Sequence, residues 1–131
     1  MKNLILFSLI FFSFYAFTQE QKKDTLFIKY DYHLLKKYED PIGHYKYYLI
    51  KDTGNNGTVS FEEKQRYVDL KPKKIHYLKD ILNKADVYYK NNLYKKGKIN
   101  DSKLADYLAE YVIFLIKDKI SIKILVVHEI E

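Results

Sequence analysis

The sequence predicts an α+β domain: one antiparallel or mixed sheet of about five strands, with two helices on one face. Three observations lead there. Segments between residues 25 and 63 alternate apolar and polar side chains, residues 75–111 repeat apolar positions at helical spacing, and residues 119–130 return to alternation.

Each element follows from its own pattern. Gln19 to Asp24 is a polar lead-in, and Thr25 to Asp31 reads as a strand with Leu26, Ile28 and Tyr30 on one face. His33 to Asp40 places Leu34, Leu35 and Tyr38 at helical spacing, and Pro41 and Gly43 limit that helix to a turn or two. Residues 44–52 are rich in β-formers, TGNNG (53–57) is a dense turn signal, and residues 58–63 put Val59 and Phe61 on a common face. Strand, Asn-Gly turn and strand make a hairpin. Ile75, Leu78, Ile81, Leu82, Ala85, Tyr88 and Tyr89 form one stripe behind Pro72, predicting a helix over 75–90. A polar connection (91–98) leads to a second helix over 101–110, capped by Asn100, Asp101 or Ser102 with Leu104, Tyr107, Leu108 and Tyr111 inward. In 111–117, Leu115 would extend that stripe, but the β-branched run and the break at Lys117-Asp118-Lys119 favour a strand. The last segment, 119–130, is the strongest strand. Ile120, Ile122, Ile124, Val126 and Ile130 share one face, while Leu125 and Val127 make the other apolar too, as in a central strand. No repeat, low-complexity tract or linker divides residues 19–131, which read as one domain.

The first eighteen residues report an address. Lys2 precedes an apolar run, Leu4 to Phe17, and small residues at Ala16 and Thr18 mark a cleavage position before Gln19. This is the layout of a secretory signal peptide. Fourteen residues at about 1.5 Å each span roughly 21 Å, short of the ~30 Å of a bilayer's hydrocarbon core. The chain has no cysteine, which excludes a lipoprotein anchor and a disulfide framework. The layout resembles secreted proteins of the Bacteroidota, in which glutamine often follows the cleavage site. The expected location is periplasmic or extracellular, with no membrane attachment after cleavage.

Composition then narrows the function. Without residues 1–18 the chain keeps 22 basic and 17 acidic residues, a net charge of +5, and its phenylalanines fall to Phe27, Phe61 and Phe114 against thirteen tyrosines. Arg66 is the sole arginine and no lysine run exceeds two, so the arginine fork that reads phosphate and bases is lacking. Nucleic acid is not an expected partner. His33, His44, His76 and His128 are not paired at metal-ligand spacing, and no nucleophile-elbow, Gly-rich phosphate loop or thiol is present. An enzyme would need a site assembled from distant residues. The leading expectation is a non-catalytic module that meets a protein or surface partner through tyrosine-bearing faces, since tyrosine packs its ring while its hydroxyl stays wet.

One segment carries a sharper alternative. Asp52 to Glu63 (DTGNNGTVSFEE) resembles an EF-hand calcium loop. The resemblance assigns ligand roles to Asp52 and Asn56, the turn to Gly57, a carbonyl to Thr58, a water-mediated contact to Ser60 and bidentate closure to Glu63, because calcium needs six to eight oxygens. Gly54 stands where that loop has a side-chain ligand, and Lys51 and Lys64 flank it. The same residues also read as a hairpin turn followed by a strand.

Overall fold

The computed structural model describes residues 23–42, 44–54, 57–90 and 96–130. The expected signal peptide lies outside them. Seven strands form one sheet: β1 (Asp24–Lys29), β2 (Leu35–Glu39), β3 (Lys46–Ile50), β4 (Gly57–Tyr67), β5 (Ile75–Tyr77), β6 (Tyr111–Lys117) and β7 (Ile120–Ile130). Two helices, α1 (Leu78–Ala85) and α2 (Asp101–Leu108), lie between β5 and β6 in the chain. The strand order is β2-β3-β4-β7-β6-β1-β5 and the sheet curls into a half-barrel. Neighbours from β2 through β6 are antiparallel, whereas β1 runs parallel to both β6 and β5.

The expectation of an α+β domain with about five strands therefore does not hold. The fold is mostly sheet, and its two helices have eight residues each. Two strands account for the difference. In the first, Asp31 caps a turn by accepting hydrogen bonds from the backbone N–H of His33 (2.8 Å) and Leu34 (3.3 Å). That Asx turn delivers Leu35 into β2 opposite Ile50, where it is buried. The helical spacing of Leu34, Leu35 and Tyr38 is thus a turn followed by a strand. In the second, Ile75–Tyr77 joins the sheet edge beside Phe27–Lys29, so the helix begins at Leu78. It also stops early. Asp86 takes the left-handed conformation (φ 54°) and donates its N–H to the Asn83 carbonyl, and Tyr88 pairs with Ile99.

Alternation sorts the strands into two faces. One carries Ile28, Leu35, Tyr48, Ile50, Val59, Phe61, Ile113, Leu115, Ile122 and Ile124, which close into a single core with Leu78, Ile81, Leu82, Leu104 and Leu108 of the helices. Full burial of such a side chain stabilises by roughly 1.5–3 kcal/mol. Helix α2 brings Asp101 close against the sheet at Gly57. A Cβ there would lie 2.5 Å from Asp101 Oδ2 and would collide with the Glu129 carbonyl oxygen. Because that second neighbour is backbone, it cannot swing aside. Gly57→Ala should lower the unfolding free energy by about 1–3 kcal/mol in urea titration; a change within about 0.5 kcal/mol would mean that α2 does not pack this tightly.

Candidate functional site

The face of the sheet opposite the core is built by the same alternation. With Tyr48 and Ile50 directed into the core, β3 presents Tyr47 and Leu49 on the other side; with Val59 and Phe61 inward, β4 presents Thr58, Ser60 and Glu62. Cross-strand register assembles them into rows. Tyr38, Tyr47, Glu62 and Leu125 make one row; Lys36, Leu49, Ser60 and Val127 the next; Thr58 and Glu129 the third. Together with Tyr45 these residues, Lys36 and Leu125 excepted, line a groove of about 560 Å³.

The tyrosines give the groove its character. Tyr38 and Tyr47 stack with ring centroids 5.1 Å apart and planes 12° from parallel. Tyr45, just before β3, is 59% exposed, and its carbonyl accepts a hydrogen bond from the Asp40 N–H (3.0 Å) that closes the connection from β2. The Lys36 ammonium sits 5.1 Å from the centre of the Tyr38 ring. Glu62 pairs with Lys64 at 3.2 Å. Rings, hydroxyls, two carboxylates and an apolar floor form a surface that can bind and orient a small molecule.

The residues of the calcium-loop expectation are placed differently. Asp52 has a left-handed backbone (φ 65°), its carbonyl accepts the Ile99 N–H at 2.8 Å, and its carboxylate faces the Lys98 ammonium at 3.5 Å. Asn56 lies outside the described residues. Thr58 and Ser60 face the groove from within β4. Glu63 lies on the same strand six residues beyond Gly57, about 20 Å along an extended chain. Its carboxylate accepts hydrogen bonds from the buried Tyr48 hydroxyl (3.0 Å) and from the Arg66 guanidinium. The structure does not bring Asp52, Thr58, Ser60 and Glu63 together, and among the described residues no three His, Asp or Glu side chains could hold a metal ion.

Glu63 instead anchors a polar cluster at the edge of the core. A register shift between Glu63 and Gln65 lets Arg66 reach back to it. Burial pushes the Glu63 carboxyl up, but the hydrogen bonds from Arg66 and Tyr48 and the nearby positive charge outweigh it, leaving the group below its ordinary range. Burial, with the Glu63 charge and hydrogen bond, pushes the Tyr48 hydroxyl well above the usual phenol value.

A second grouping was illegible in sequence. Asp101, in the first turn of α2, is only 1% exposed, and its Oδ2 lies 2.6 Å from Nε2 of His128 on β7. Gly57 leaves the room for this approach. His128 borders a pocket of about 380 Å³ lined mainly by apolar side chains, including Ile113 and Val126, with Asp106 and Tyr111 at hand. Twenty-seven residues separate the pair, so only the tertiary fold unites it. The tyrosine groove left a partial signal: the alternation of 45–49 and 58–62 places its residues on one face, but not the β4–β7 register that completes it.

Comparisons with protein-family models, curated proteins and solved structures return no match.

The Glu63 cluster predicts an acid dependence. Glu63 titrates lower in the folded protein than in the unfolded chain, so its stabilisation is complete above about pH 4.5 and is lost as pH falls through the depressed value. Glu63→Gln should cost about 1–3 kcal/mol at pH 7 and flatten this part of the stability curve below pH 4.5. Parallel acid limbs for the parent and the variant in chemical denaturation would remove Glu63 as a cause.

Proposed function

We propose that the protein is an exported, non-catalytic binding module whose ligand lies in the groove of Tyr38, Tyr45 and Tyr47. The observation that carries this reading is the convergence of three tyrosines with the Thr58 and Ser60 hydroxyls and the Glu62 and Glu129 carboxylates on one concave patch of an otherwise open sheet face. The apolar run from Leu4 to Phe17 behind Lys2 supports export.

Catalysis gains less support. The Asp101–His128 pair has the form of a carboxylate orienting an imidazole, which serves a general base when a nucleophile stands beside it. Among the described residues lining the pocket at His128 there is no serine, threonine or cysteine. Asp101 also has a structural role, since its carboxylate complements the positive end of α2 and ties that helix to the end of β7.

Proton–carbon spectra of the tyrosine rings, recorded against a panel of oligosaccharides, short peptides and aliphatic amines, test the site. The expected result is a compound that shifts the Tyr38, Tyr45 and Tyr47 ring signals together and leaves those of Tyr107 and Tyr111 in place. Shifts confined to His128 and Tyr111 would move the binding site to the other pocket. A panel with no effect on the three rings would remove the groove reading.

A further inference from the structure

We infer that the groove takes a linear aliphatic polyamine, with an ammonium group at each end and a further one set among the methylenes between; this rests on the groove being the binding site. Charge is the first reason. The chain as a whole carries 23 basic and 17 acidic residues, yet the charged residues lining the groove are both carboxylates, Glu62 and Glu129. Lys36 is held at the β2 margin with its ammonium against the Tyr38 ring, so along β4 and β7 the groove presents acid, which favours a cation over phosphate or carboxylate ligands.

The order of the rows is the second reason. Glu62 stands at one end beside the Tyr38–Tyr47 stack, Leu49 and Val127 with Ser60 occupy the middle, and Glu129 with Thr58 closes the other end. Thr58 and Glu62 are four residues apart on β4, so the two acidic rows are separated by about 14 Å at ~3.4 Å per residue. Along β4 and β7, acid, a floor of Leu49 and Val127 with the Ser60 hydroxyl, and acid match end ammonium, methylenes with a central ammonium, and end ammonium, while Lys36 stands aside on β2. The hydroxyls of Thr58 and Ser60 add acceptors, which suits a group that only donates.

Rings supply the third reason. At the groove the Lys36 ammonium lies over Tyr38 (5.1 Å), and elsewhere in the molecule tyrosine receives an ammonium in the same way: Lys29 over Tyr77 (5.4 Å), and Lys117 over Tyr30 (5.1 Å) and Tyr32 (5.8 Å). Tyr47 and Tyr45 stand beside Glu62 and offer further ring surface to a ligand's ammonium. The existing Glu62–Lys64 contact joins two partly exposed side chains, a kind of pair that contributes little and yields readily to a competing cation. Among the described residues Glu129 makes no ion pair.

Calorimetric titration of the whole protein with spermidine tests the inference, with butylamine and a neutral pentasaccharide as controls and tyrosine-ring spectra recorded in parallel. Spermidine should bind and shift the Tyr47 ring, and its affinity should fall as salt rises. Glu62→Gln and Glu129→Gln should each weaken it about tenfold. Butylamine, which reaches one end only, should bind at least about tenfold more weakly than spermidine. Unchanged dispersion of the amide spectrum shows that both variants remain folded. Spermidine affinity equal in the parent and both variants overturns the inference, as does an absence of heat. If the saccharide shifts the three rings and spermidine does not, the polyamine assignment falls and the binding groove stands. If neither compound reaches the rings, both fall.

Discussion

The antiparallel ladder between β4 and β7 is the constraint on which the rest of this molecule depends. It runs from Gly57 opposite Ile130 to Tyr67 opposite Ser121 and lies at the middle of the sheet. A slip of one residue would exchange the two faces, sending Ser60 and Glu62 into the core and Val59 and Phe61 into water. Burial of Val59, Phe61, Ile122 and Ile124 holds the register, because each would lose its core contacts in any other. The ladder therefore determines which side chains remain outside as well as which go in.

Three local features follow from it. Glu62 and Glu129 come to opposite ends of one groove because their strands run antiparallel in this register. Glu63 sits on the core side beside Tyr48, and the register shift that follows returns Arg66 to its carboxylate. At the far end, Gly57 opens the space through which Asp101 of α2 reaches His128 of β7. A carboxylate buried without such a partner would be strongly destabilising, because nothing would replace its lost hydration. Helix placement and strand register thus reinforce one another, while the tyrosine face is left free of any covering element among the described residues.

Sequence periodicity found the segments that bury a full face. β1, β3, β4, β6 and β7 lie where alternation or β-branched runs placed strands, and α2 has its cap at Asn100, whose side chain accepts the Lys103 N–H. It did not find β2 and β5, and so the fold class changed. Both are short edge strands, β2 with one buried residue and β5 with none, so their own side chains carry little period to read. Ile75 fits the helical stripe of Leu78, Ile81 and Leu82, and only its pairing beside Phe27 makes it strand. The groove was legible as a tendency toward tyrosine-bearing faces but not as a place, since pairing across β2, β3, β4 and β7 is a tertiary fact. The likeness of residues 52–63 to a calcium loop comes from residue types that also suit a turn running into a strand. Backbone pairing of Asp52 and Gly54 with Ile99 shows how the start of that segment is held.

The sorting of side chains between the two faces is the central claim, and the chain's lack of cysteine permits a direct measurement. Ser60 lies in the groove, whereas its neighbour Val59, on the core face, is 0% exposed. Cysteine is close in size to both serine and valine, so Ser60→Cys and Val59→Cys place a thiol on each side of the fold with little disturbance. The measurement is the rate of maleimide labelling of each folded variant relative to the same variant in denaturant. The account predicts that Ser60→Cys reacts within about tenfold of its unfolded rate while Val59→Cys is protected by at least about a hundredfold, as a group reached only through opening would be. Equal rates at the two positions, or a protected Ser60→Cys beside a reactive Val59→Cys, would contradict the register and the groove built on it.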